Sequence, residues 1–293
     1  MGILTKTRKI ICENSYGYKL EFGYSFPYFL SKYSGVHEYS GNVATVKSAF
    51  GVGVSYIGTS VNQRDINLVI SFKDDELLRD RKNQIYNIFP QKDKGTLFFY
   101  EGDIVRKINY YVEKVNLVRQ AGGIYNASID LICPSPYFMD SEETIVELNN
   151  WDKLFKFPFE IPDGTGFEFG SKNESTMMEI INDSHISYGL TITYNANGNV
   201  SNPKLTNTSN GEIMEIKINL TAGESIVITT YNNEKEIVHI DANGNETSIN
   251  NTLVFGTKFL QAKNGVNKFV PSAETGGENL DCSISYYNYY EAV

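Results

Sequence analysis

The sequence predicts a mainly β protein: an N-terminal β-barrel-like domain with one helix and a long β-hairpin, followed by a C-terminal β-sandwich. Three observations predict it. Apolar and polar residues alternate with period two in many short runs, and Gly, Asn and Asp turns separate those runs. One segment alone shows apolar residues at clear helical spacing. A chain of 293 residues has room for two ordinary domains, and 41% hydrophobic content supplies cores for both.

Taken in order, the first distinctive stretch is FGVGVSYIG, with Gly51, Gly53 and Gly58. A dinucleotide-binding turn needs GxGxxG and then a helix. The third glycine here is out of step and the flanks are β-like, so a flexible loop or bulged strand is expected. RDINLVISF then sets Ile66, Leu68, Ile70 and Phe72 on one face and Asn67, Val69 and Ser71 on the other, a half-buried strand. DDELLRDRKNQIYNIFP opens with three acids, carries Leu78, Ile85 and Phe89 on one stripe with Leu77 and Ile88 beside it, and stops at Pro90. It predicts a helix over residues 74–89 with a core-facing stripe.

GTLFFY, a turn at residues 101–103 and the run IVRKINYYVEKVNLV come next. The apolar phase of that run is even at Ile104, Ile108, Tyr110 and Val112 and odd at Val115 and Leu117. A one-residue slip inside a strand predicts a bulge or sharp bend. After Gly122-Gly123 the chain returns as IYNASIDLIC, with Tyr125, Ala127, Ile129, Leu131 and Cys133 in phase. This is a long hairpin with a kinked first arm. It ends on CPSPYF. Pro134 and Pro136 cannot donate to a sheet ladder, and Tyr137 and Phe138 can anchor the exit against a core. Cys133, Pro134, Pro136 and Tyr137 are therefore placed at a domain seam, with domains at residues 1–140 and 167–293 and a connector at 141–166 that holds the sole tryptophan, Trp151. Beyond it, GEIMEIKINL (Met214, Ile216, Ile218 and Leu220 in phase), ESIVITTY, KEIVHID, NTLVF and CSISYYNYY read as sandwich strands. ANGN occurs at 196–199 and 242–245, which predicts two similar hairpin turns.

Charge is uneven. Residues 1–140 hold 17 Lys+Arg against 14 Asp+Glu, and the remainder 9 against 21, within a net of −9. That balance does not grip nucleic acid through phosphate neutralisation. No apolar run approaches the roughly 18–20 residues that span a bilayer, and no leader-like apolar stretch follows the first charges, so neither membrane insertion nor secretion is expected. Cys12, Cys133 and Cys282 are few, distant and odd in number, which fits neither a disulfide framework nor a zinc site. Cys133 reads as a small core residue. His37, His185 and His239 lack metal-ligand spacing, and His239 reads as a strand residue. DANGNE has its glycine at the wrong position for an EF-hand loop. No nucleophile motif and no singled-out acid pair appear. No catalytic residue, metal or cofactor is expected.

The order of these elements resembles the distal tail protein family of long-tailed bacteriophages, the siphophage tail components. The resemblance rests on Arg64-Asp65-Ile66 at a strand start, one helix with Arg79 and Arg81, the strand at 97–100, and the long hairpin closing on Cys133-Pro134-Ser135-Pro136-Tyr137-Phe138. Asn202-Pro203, the turn at 220–224, Leu260, Gly265, Asn267 and the final Tyr-rich run at 286–290 are similar to the family's galectin-like second domain. One departure is Ala292, where the family often has Gly. The resemblance implies a non-enzymatic virion protein, assembled in the bacterial cytoplasm and located at the tail tip. It implies a homo-hexameric ring whose partners are the tail tube protein, the tail-tip or tail-associated hub protein, and receptor-binding or baseplate proteins. It implies, too, that DNA passes through the lumen without sequence-specific binding. The long hairpin is expected at the ring contacts, with Tyr110, Tyr111, Glu113 and Lys114 as candidates. Two rivals are a glycan-binding adsorption module, with aromatics flanking a groove, and a wall hydrolase with paired acids.

Overall fold

A computed structural model describes residues 8–47, 49–148, 151–152, 171–172, 177–232 and 234–293. The chain divides into two compact units, residues 1–141 with 289–293, and residues 142–288. The expected mainly β architecture, with several antiparallel sheets and one helix among the described residues, is observed.

In the first unit the strands are β1 (Arg8–Asn14), β2 (Lys19–Phe22), β3 (Phe29–Ser34), β4 (Gly41–Val46), β5 (Ser55–Val61) and β6 (Arg64–Lys73). Helix α1 (Leu78–Ile88) follows, then β7 (Lys94–Glu101), β8 (Ile104–Gln120), β9 (Ile124–Cys133) and β10 (Phe138–Asp140). The sheet runs β2-β1-β7-β8-β9-β6-β3. Its two ends meet where Leu30 N–H donates to Gly23 O at 2.6 Å and Gly23 N–H to Tyr28 O at 3.3 Å, which gives the barrel-like closure. Inside lie Ile10, Phe22, Leu30, Ile66, Leu68, Ile70, Phe72, Leu97, Phe99, Ile108, Ile129 and Leu131, drawn from every strand of that path.

The slip predicted in the long hairpin is present. The β8–β9 register shifts between Val112 and Lys114, so Glu113 is the extra residue of a bulge. The helix is shorter than the expected 74–89. It begins at Leu78, because Asp74 and Asp75 are used elsewhere: Asp75 accepts from Leu77 N–H at 3.0 Å and pairs with Arg81, and Asp74 pairs with Arg119. Ile85, Ile88 and Phe89 are buried as the stripe requires, while Leu77 is exposed.

The second unit holds a six-stranded sheet ordered Thr144–Glu147, Leu280–Tyr286, Thr191–Ala196, Ser225–Thr229, Glu236–Ile240 and Glu246–Ser248. A four-stranded sheet runs Met178–Asn182, Gly265–Ser272, Lys204–Asn207, Glu212–Glu215. Each buries one face: Ile192, Tyr194, Ile226, Ile228 and Ile284 from the first, Ile180, Leu205, Met214 and Phe269 from the second. Thr144–Glu147, inside the expected connector, is thus a sheet strand. Trp151–Asp152 pairs with Ser171–Lys172, and connector residues 153–166 lie outside the described residues.

Three local expectations are corrected. NTLVF is not a strand: Asn250–Thr252 forms a 3-10 turn and Leu253 makes only an isolated bridge to Ile216. The two ANGN turns differ, since 242–245 closes a hairpin, whereas Asn197 N–H donates to Asn279 O and 196–199 joins strands that do not pair with each other. The Tyr-rich run is split. Leu280–Tyr286 belongs to the second unit, and Tyr289–Tyr290 pairs with β10 in the first.

Candidate functional site

The most exposed apolar surface of the first unit is the β4–β5 ribbon. Its register runs from Gly41↔Val61 to Val46↔Ser55 with a bulge after Ala44, and neither strand pairs with any other strand among the described residues. Val43, Val46, Tyr56, Ile57 and Val61 are exposed along it, and Phe50 and Val52 at its tip are fully exposed. Residues 41–61 carry one charged side chain, Lys47. A two-stranded ribbon is marginal alone in water, and an uncharged ribbon with two open edges is a liability unless something covers it. The residues expected to form a loop or bulged strand therefore build an arm.

Arg64 holds the arm's base. Burial lowers the guanidinium pKa, yet it stays charged, and each of its three nitrogens donates to a backbone carbonyl. Nε donates to Pro136 O at 2.6 Å, Nη1 to Gly35 O at 2.7 Å and to the carbonyls of Val36 and Glu38, and Nη2 to Glu291 O. One side chain thus joins the chain entering the arm, the Cys-Pro-Ser-Pro turn and the returning segment 289–293. Gly35 sits at φ +82°, and a Cβ there would collide with Asp65 O, so only glycine fits. The cleft of about 180 Å³ at this base is lined by Glu38, Tyr39, Asn62, Gln63, Arg64 and Asp65. The guanidinium in it is engaged through all three nitrogens by backbone carbonyls.

The seam residues lie together here. Cys133 is the buried last residue of β9, its thiol pushed up to about 12 by burial. Pro134 is exposed, Pro136 supplies the carbonyl to Arg64, and Tyr137 packs edge-on to Tyr289 with ring centroids 6.3 Å apart. Phe138 is fully buried in the first unit's core. Arg106 stacks 3.7 Å from the Tyr290 ring and pairs with Asp140 at 2.7 Å, clamping β10 and the returning strand.

Of the four candidate contact residues, Tyr110 is corrected. It is 1% exposed and points into the barrel, where burial raises its phenol pKa, its hydroxyl faces Cys12, and its ring covers Gly95. Tyr111, one residue on, faces out at 44% exposure, and Glu113 and Lys114 are exposed at the bulge. From Val112 to Gln120 β8 is flanked by β9 on one side, while β7 stops at Tyr111.

Known proteins share this architecture. Residues 15–133 match the family described as phage tail protein RIFT-related domain, and residues 183–290 match the siphovirus-type tail component, C-terminal domain. The chain belongs to the siphovirus-type tail component family. Membership makes it a distal tail component, located at the virion tail tip. The crystal structure of phage SPP1 Dit superposes with a TM-score of 0.66 at 12% identity, over 96% of this chain and 99% of that one. A chain of the phage P2 baseplate, in its activated conformation with Ca, gives 0.56 at 12% identity over 99% and 100%. No curated protein matches. In this tail component no helix among the described residues is long and apolar enough to cross a membrane.

Proposed function

We propose that the chain is a structural, non-catalytic hub. Copies close into a homo-hexameric ring at the tail tip, join the tail tube to the baseplate or tail fibre, and leave a channel for DNA. The observation that carries this is the apolar arm, residues 41–61: such a surface needs a partner, and a repeated arm-to-neighbour contact generates a closed ring. SPP1 Dit, described as a paradigm of hub adsorption apparatus in phages infecting Gram-positive hosts, shares the fold over nearly the full length of both chains. The near balance of charge in residues 1–140 suits a channel that lets DNA slide past. The second, galectin-like unit then serves as the dock for adsorption proteins.

Light scattering with negative-stain imaging tests this. The full chain is expected as six-fold rings with an open centre. A monomer at every concentration overturns the ring. The rival glycan-binding reading gains little support, since the large, fully exposed aromatic of the second unit among the described residues is the single ring of Phe255.

A further inference from the structure

Resting on the ring reading, we propose that the arm's receptor is the open edge of β8 in a second copy, residues 113–120, and that β5 adds to it as a strand. The β8–β9 hairpin has one side available: β6 covers β9 along its whole length, from Arg64↔Cys133 to Lys73↔Ile124. On the other side β7 leaves β8 at Tyr111, and beyond the Glu113 bulge the outer N–H and C=O groups meet no strand among the described residues. Unpaired backbone groups in a row are a template for strand addition.

The arm fits that template in three ways. In length, β5 has 7 residues, close to the open stretch. In pattern, Thr59 and Val61, on one side of the Ile57 bulge, share a face of β5, and Val61 extends the apolar surface of Val115 and Leu117, which pack partly buried on the core. Gly58 and Ser60 then meet the exposed side that holds Asn116 and Val118. In charge, β5 sets no carboxylate, ammonium or guanidinium against Glu113, Lys114 or Arg119, so no like charges face each other across the contact.

The occupant is a second copy because the chain's own arm leaves both of its edges and this one unpaired. An arm reaching an edge is a heterologous contact, the kind that repeats head to tail and closes. The edge of β2, only 4 residues long, is a poorer receptor.

Paired cysteines read the contact directly. Ser60→Cys is combined in turn with Lys114→Cys, Asn116→Cys, Val118→Cys and Gln120→Cys, and the assembled full chain is mildly oxidised. The native Cys12, Cys133 and Cys282 are free and buried, so they do not compete. At least one pair is expected to give a covalent ladder on a denaturing gel, and neither single variant does. Intact rings with no ladder from any pair overturn the β8 receptor and leave the ring standing. Absence of rings overturns the ring, and the receptor with it. Hydrogen exchange on the unsubstituted chain gives an independent reading. Amides of residues 113–120 are expected to slow about tenfold or more on assembly, and rings in which they exchange as fast as in the monomer overturn the proposal.

Discussion

The β4–β5 arm and the hairpin of Glu236–Ile240 with Glu246–Ser248 are both antiparallel ribbons ending in a glycine-containing turn, yet their chemistry is opposite. In the second, Asp241 closes the turn on itself. Its carboxylate accepts from Asn243 N–H at 2.8 Å, Asn245 N–H at 2.9 Å and Asn245 Nδ2 at 2.7 Å, and its strand is the fifth of six in a sheet. The arm has an apolar tip and pairs with nothing outside itself among the described residues. A ribbon that satisfies its own polar groups is finished within the chain. One that exposes apolar side chains and open edges is left unfinished within it.

The sharpest way to break this contrast is at the arm's tip. Replacing Phe50, Val52 and Val54 together by serine is expected to abolish assembly, read as monomer mass in light scattering, while urea stability of the monomer moves by less than about 1 kcal/mol. A large loss of stability would mean that the tip packs within its own chain. Next in size is Arg64→Met. It strands several carbonyls around an apolar stem and is expected to cost about 3 kcal/mol in urea denaturation, with faster proteolysis at the arm's base. Gly35→Ala forces a Cβ against Asp65 O at positive φ, and a loss of about 2 kcal/mol is expected by the same measurement. Stability equal to that of the native chain would show that the base yields without cost.

The smallest effect is at Asp241. The Asn245 side chain and the loop N–H groups hold its carboxyl below the usual value. Its contribution is therefore full above the ordinary carboxylate range and lost as pH falls through the depressed folded value, starting near about pH 4. The thermal midpoint of Asp241→Asn should lie below the native one at neutral pH, and the gap should close in acid. A gap that widens on acidification would contradict the assignment.

Much of the barrel is legible because strand alternation is a local signal. Ile66, Leu68, Ile70 and Phe72 are buried as their period demands, and the phase slip between Val112 and Val115 brackets the bulge at Glu113. The helix start is misleading because Asp74 and Asp75 look like first-turn acids but bind Arg119 and Arg81. Tyr110 and Tyr111 are adjacent and chemically alike. The even phase that Tyr110 shares with Ile108 points it inward, and that phase outweighs the expectation of a surface contact. The arm escapes a search for period two because 41–61 lacks strict alternation, although the lone Lys47 in 21 residues marks a surface ill suited to water. Asparagine read as turn chemistry hides Asn182, Asn207 and Asn267, which are buried and hydrogen-bonded. The Arg64 cluster, drawing carbonyls from 35–38, 136 and 291, is beyond any local pattern.

The return of residues 289–293 has a consequence for synthesis. An N-terminal unit ordinarily finishes folding while the rest of the chain is still on the ribosome. Here β10 waits for Tyr289 and Tyr290, and Arg64 waits for the Glu291 carbonyl, which lies 227 residues downstream of it. Contacts of such sequence separation form late. The base of the arm is thus sealed only after the second unit has been translated. A nascent copy halted before Tyr289 leaves β10 without its strand partner and Arg64 without the Glu291 carbonyl, so the same five residues decide when the first unit is complete.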